Sequence, residues 1–150
     1  MASEQHRRVL IVDDDGVVRR ILVAALRQRS LIIDEAEDGA KALELLRENS
    51  YSVVLLDLLM PNVDGFAVLS ALDESSTFAP VVLVVTGADR SVVEQLDSRR
   101  IHGIVRKPFD AQELAGIVAA CADIRARSAF ETMAIATMMS GVPLIGLLKL

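Results

Sequence analysis

The sequence predicts an α/β fold in which helices cover both faces of a parallel sheet. Three observations carry this. Five short apolar runs alternate with five stretches of helical periodicity along the 150 residues. The runs at 9–12, 53–56 and 81–85 are continuously aliphatic, as strands buried on both faces are. The hydrophobic fraction is 52%, with no Trp and one Tyr, which describes an aliphatic core.

The elements follow in order. Residues 8–13 read as the first strand. Residues 17–29 read as a helix: Val18, Ile21, Leu22, Ala25 and Leu26 form one apolar face, with Arg19, Arg20 and Arg27 mostly outside it. Residues 31–36 are a second strand, broken by Asp38-Gly39. Residues 40–48 follow as a helix, with Leu43, Leu46 and Arg47 at helical spacing. Residues 51–57 are the third strand. Pro61 cannot donate a ladder hydrogen bond, so this strand stops before it. Residues 65–72 are the third helix, 80–86 the fourth strand, 89–98 the fourth helix and 101–107 the fifth strand. Asp110 caps a fifth helix, with Glu113 as its reach-back partner. In that helix Leu114, Ile117, Val118 and Cys121 recur at helical spacing.

Residues 124–150 stand outside the alternation. The stretch from Ser128 to Glu131 matches a capping box and predicts a second helix start, with a helix over 129–139. Gly141 and Pro143 are stop signals, followed by a short apolar tail. The expected organisation is a domain over 7–122 and a C-terminal extension over 123–150. The extension reads as a helix folded back on the domain or the start of a truncated segment. Its Met-rich apolar character also suits contact with a partner or a second copy.

Charge and composition exclude several classes. Net charge is −5 and the pI is near 5.0, with no basic cluster, which argues against direct nucleic-acid binding. A single cysteine, Cys121, permits no internal disulfide, suits a reducing compartment and reads as core packing. The N-terminal stretch has no apolar core of a secretory signal. Glu131, Gly141 and Pro143 interrupt the apolar C-terminal run, so no membrane span is expected. These features together predict a cytoplasmic location.

The chemistry lies at the strand ends. Asp13, Asp14 and Asp15 follow the first strand, Asp57 the third, Thr86 ends the fourth and Lys107 the fifth. A parallel sheet brings such ends to one edge, where ligands bind in open α/β folds. Each residue has a plainer reading: a solvated acidic turn, a helix-capping Asp or Thr, a surface lysine. Taken together they fit one task. Adjacent carboxylates repel unless a cation lies between them, and such an oxygen-rich site suits Mg²⁺. Lys107 is placed to neutralise a transferring phosphoryl group, and Thr86 can donate to a phosphoryl oxygen. The set matches Mg²⁺-assisted phosphoryl transfer to a carboxylate.

With the motifs IVDDD, EAEDG, LLDLLMPNVDG, VVTGAD and VRKPF in view, residues 7–122 resemble the receiver domain of two-component response regulators. The resemblance implies a flavodoxin-like, doubly wound sheet of five parallel strands in order 2-1-3-4-5. It implies that Asp57 is the phosphoacceptor, charged by a sensor histidine kinase or a histidine phosphotransfer protein. It implies that Asp13, Asp14, Asp57 and the backbone carbonyl of Leu59 hold Mg²⁺. Thr86 and Lys107 match the hydroxyl and the lysine that meet the phosphoryl group. The switch would move a face around the fourth helix and fifth strand, through which an output partner or a homodimer could form; the C-terminal helix is a second candidate for self-association.

Two features depart from the family. An aromatic residue often stands three positions before the lysine, where this chain has Ile104. By the same resemblance, Leu59 and Ala88 flank the path of a water attacking the acyl phosphate, and neither side chain can orient it. A slow loss of the phosphoryl group is therefore expected. Asp89, the nearest acid, reads as the cap of the fourth helix.

A rival reading is a haloacid-dehalogenase-like phosphatase, with Asp13 as nucleophile, Asp15 as general acid, and Thr86 and Lys107 at that family's later positions. It gives no role to Asp57 and lacks a second acid pair after Lys107. A receiver that binds partners without phosphorylation is a third reading; the intact set Asp13, Asp14, Asp57, Thr86 and Lys107 argues against it.

Overall fold

Strand β1, Arg8–Val12, shows how the sheet is covered. Val9 and Ile11 project to one side, Leu10 and Val12 to the other, and all four are buried. Each side therefore needs its own layer. A computed structural model, describing residues 7–72 and 79–140, supplies both. Helix α1 (Gly16–Arg27) and helix α5 (Ala111–Ser140) cover the side of Val9 and Ile11. There Leu22, Leu26, Leu114 and Val118 pack with Val53 and Leu55 of β3 (Val53–Leu56). Helices α2 (Gly39–Glu48) and α3 (Gly65–Ala71) cover the other side, where Ala42, Val68 and Leu69 meet Val54 and Leu56.

Strands β2 (Ile32–Ala36), β4 (Val81–Thr86) and β5 (Gly103–Arg106) complete a five-stranded parallel sheet in the order β2-β1-β3-β4-β5. This is the predicted flavodoxin-like architecture. The registers Val12↔Leu56 and Leu56↔Val84 align the strand ends, so all five finish at one edge. The helices that leave this edge start on acidic caps. The Asp15 carboxylate accepts from the Val17 and Val18 amides, Asp38 from Lys41, Asp64 from Ala67, and Asp110 from Gln112 and Glu113.

Two glycines hold the turns against this edge. A Cβ on Gly65 would lie 2.3 Å from the Asp57 carbonyl oxygen, and one on Gly39 would lie 2.2 Å from that of Val63. The start of α3 is thus pressed directly onto the backbone that carries Asp57.

Two expectations need correction. The helix predicted over 89–98 is a single turn, α4, Arg90–Val93. Asp89 makes no side-chain cap bond. The Gln95 and Leu96 amides bond three residues back, to Val92 and Val93, and the Asp97 carboxylate takes the Arg99 amide. Two β-branched valines and an Asp that bonds its local backbone favour a tight turn over continued helix. The second helix start at Ser128 is also absent: residues 129–139 are helical, but as part of the unbroken α5. A capping box works only where the preceding chain is extended. Between Gly116 and Gly141 no Gly or Pro breaks the helix, so it runs through. Gly141, Pro143 and the apolar tail lie outside the described residues. Among the described residues no helix is long and apolar enough to cross a membrane.

Candidate functional site

Each candidate residue just beyond a strand hangs from the strand beside it. The Asp13 amide donates to the Ala36 carbonyl at 3.1 Å, the Asp57 amide to Val12 at 2.9 Å, and the Lys107 amide to Thr86 at 3.1 Å. These bonds continue the ladder one residue past the strands and fix where the side chains emerge. The Lys107 ammonium then donates to Asp13 Oδ2 at 2.7 Å and to Asp57 Oδ2 at 3.1 Å. Both carboxylates are buried, Asp57 with 5% of its surface exposed, whereas Asp14 is exposed. One carboxylate oxygen from each of Asp13, Asp14 and Asp57 lies within 4.8 Å of the others.

Burial raises the Asp13 carboxyl above its ordinary range, against the opposing hydrogen bonds from Lys107 and the Asp15 amide. Burial acts on Lys107 in the opposite sense. The hydrogen bonds and charges of Asp13 and Asp57 outweigh it, so the ammonium is held above its usual range and stays charged at neutral pH. Three carboxylates and one ammonium leave an excess of negative charge in a small, partly buried volume. Oxygen donors, that excess charge and the exposed Asp14 side together fit a hard divalent cation that retains water ligands.

Thr86 is fully buried, and its hydroxyl accepts from the Ala88 amide at 3.1 Å rather than capping α4. The Leu59 amide donates to Asp57 Oδ1 at 3.3 Å, which tethers the carboxylate to its own loop. Asp15 is occupied as the α1 cap. The amides of Val17 and Val18 lower its pKa, which suits a fixed carboxylate and not the proton donor of the phosphatase reading.

Two arginines that the sequence did not single out hold the site's backbone. Arg19 donates to the Asp13 carbonyl at 2.7 Å and pairs with Glu35 at 3.2 Å, tying the acidic turn to the end of β2. Arg106 donates to the Ala88 carbonyl. No sequence signal marks either bond, because side-chain bonds to backbone carbonyls leave no pattern in residue type or spacing. Cys121 is half-buried against the core, and burial raises its thiol pKa, in keeping with a packing role.

Comparison with known proteins bears on the whole edge. The response regulator receiver domain family matches residues 9–119. The transcriptional regulatory protein SrrA of Staphylococcus aureus is 39% identical over 106 residues, covering 71% of this chain and 44% of SrrA. The chain thus spans under half the length of that curated relative. The response regulator protein TrrA of Thermotoga maritima, solved in complex with Mg(2+)-BeF, is 28% identical with a TM-score of 0.66, covering 77% of this chain and 98% of that one. A CheY-like receiver domain protein from Methanospirillum hungatei shares the fold at 20% identity, with a TM-score of 0.69 over 81% of this chain and 97% of that one. The ordered strand-end motifs, the 2-1-3-4-5 parallel sheet and the family match agree, and the chain belongs to the response regulator receiver domain family.

Proposed function

We propose that Asp57 accepts a phosphoryl group from a phosphohistidine on a sensor histidine kinase or a histidine phosphotransfer protein. A carboxylate oxygen of Asp57 attacks phosphorus in line, the P–N bond breaks, and the imidazole leaves with the electron pair and takes up a proton. The observation that carries this reading is the Lys107 ammonium held between two buried carboxylates, Asp13 and Asp57. There it meets the incoming phosphoryl oxygens without reorganising, the condition under which electrostatic stabilisation is most effective. Asp13, Asp14, Asp57 and the Leu59 carbonyl would hold Mg²⁺, which when bound neutralises and orients the phosphoryl oxygens. The Thr86 hydroxyl accepts from the Ala88 amide, so its own proton is free for a phosphoryl oxygen.

In this reading residues 7–122 are the receiver and 123–150 an extension. The protein acts in the cytoplasm as a regulator whose phosphorylation changes its affinity for an output partner or a second copy. The test is incubation with Mg²⁺ and acetyl phosphate followed by intact-mass measurement. The protein gains one phosphoryl group and Asp57→Asn gains none. Labelling that persists in Asp57→Asn but disappears in Asp13→Asn overturns the assignment in favour of Asp13 as nucleophile.

A further inference from the structure

Arg106 and Lys107 are consecutive at the end of β5, so their side chains leave opposite faces of the strand. Lys107 reaches Asp13 and Asp57. Arg106 reaches the turn between β4 and α4, where it donates to the Ala88 carbonyl. The amide of the same Ala88 donates to the Thr86 hydroxyl, and the residue is 1% exposed. A chain of two hydrogen bonds thus runs from the Thr86 hydroxyl through Ala88 to a cation on the outer face. Helix α4 itself buries no residue, and Asp89 makes no side-chain cap bond. On the same face as Arg106 lies Ile104, 41% exposed and without a ring that could swing between an inner and an outer position.

We propose that Arg106 is a positioning residue that latches the β4–α4 turn to β5 and reports the phosphorylation of Asp57 on the outer face of β5. The inference rests on the receiver reading above. A phosphoryl group on Asp57 replaces the single carboxylate charge with about two and adds new acceptor oxygens beside Thr86 and Lys107. When the Thr86 side chain turns to donate to them, its oxygen shifts while still accepting from the Ala88 amide. A buried amide without an acceptor is costly, so the turn moves with it. The Ala88 carbonyl lies on that turn, and its movement takes the carbonyl away from the guanidinium. The release changes the charge displayed beside Ile104, which is what a partner docking there would read.

The test uses the full chain as wild type, Arg106→Met and Arg106→Lys. Intact mass reports phosphorylation by acetyl phosphate, and hydrogen–deuterium exchange reports residues 87–96 before and after. In wild type, phosphorylation speeds exchange there by at least about threefold, the signature of a locally released segment. Arg106→Met gains the same phosphoryl group, but its exchange is already fast without the donor and no longer responds. Arg106→Lys keeps a cationic donor and retains at least about half of the response. The proposal is overturned if Arg106→Met shows the basal exchange and the response of wild type. A phosphorylated wild type with unchanged exchange overturns it as well. Failure of wild type to gain a phosphoryl group counts against the receiver reading instead, and the basal exchange of Arg106→Met still decides the latch.

Discussion

Leu59 stands two residues beyond Asp57 with 54% of its surface exposed, while Ala88, two residues beyond Thr86, is buried. Neither side chain can hydrogen-bond a water approaching an acyl phosphate on Asp57, and oriented general-base help is worth about 10²-fold or more. The phosphorylated state should therefore be long-lived. Decay in Mg²⁺ after removal of the donor is expected to be at least about tenfold faster in Leu59→Asn with Ala88→Glu than in wild type. Equal lifetimes would show that the apolar flanks do not set the rate. A second residue-scale prediction concerns Tyr51, whose hydroxyl donates to Asp34 at 2.8 Å beside Arg8. Burial, then the hydrogen bond and charge of Asp34, raise the phenol above its ordinary 10.0. A raised folded pKa means that this stabilisation is fully present below the unfolded value and is lost as pH rises through the folded one. Since the chain has one Tyr and no Trp, tyrosinate absorbance reads this group alone. It should stay low past pH 10.0 while the fold persists, and Asp34→Ala should bring ionisation to lower pH. Ionisation near the ordinary value in the folded wild type would contradict the buried contact.

At the scale of elements, the joints between strand and helix bear most of the constraint. Gly65 opens α3, and a Cβ there would meet the Asp57 carbonyl oxygen and, at 2.7 Å, the Leu58 Cα, neither of which can move without displacing Asp57. Gly65→Ala is predicted to cost about 1–3 kcal/mol in urea unfolding, as overpacking does, and to slow phosphorylation by acetyl phosphate. Gly16 begins α1 with only the ends of the Arg20 and Arg19 side chains nearby, at 3.5 and 3.6 Å. Gly16→Ala should then leave both quantities near wild type. Equal effects at the two positions would mean that helix propensity, not the close approach, governs them. The Asp-Gly pair at 64–65 is visible as punctuation in the sequence. That its glycine touches the Asp57 backbone is not, because the contact depends on how α3 lies across β3.

For the whole molecule, the decisive fact is that one parallel sheet brings the ends of β1, β3, β4 and β5 to the same edge. Helix α5 runs on to Ser140. Its last buried residue among those described is Ala122, and Ser128 and Glu131 are exposed. Removing residues 128–150 is predicted to shift the thermal midpoint by less than about 4 °C, that is, by well under the effect of a core truncation. The shortened protein should still accept the phosphoryl group, with any difference confined to its association state in sedimentation. Unfolding of the shortened chain would place the end of α5 in the core.

Residue type and order alone marked the aliphatic strands, the alternation with helices, the Asp110 cap and the candidate residues Asp13, Asp14, Asp57, Thr86 and Lys107, because buried strands and strand-end chemistry leave local signals. The extent of α4 and the continuity of α5 were not legible. A capping pattern has meaning only against the conformation of the chain before it, and a short exposed helix is decided by competing turn bonds. Only the tertiary structure decided that Lys107 bridges two buried carboxylates 50 and 94 positions away, and that Arg19 and Arg106 hold the carbonyls of Asp13 and Ala88. Contacts of that kind depend on where the folded sheet places distant strand ends, and no periodicity in the chain encodes that placement.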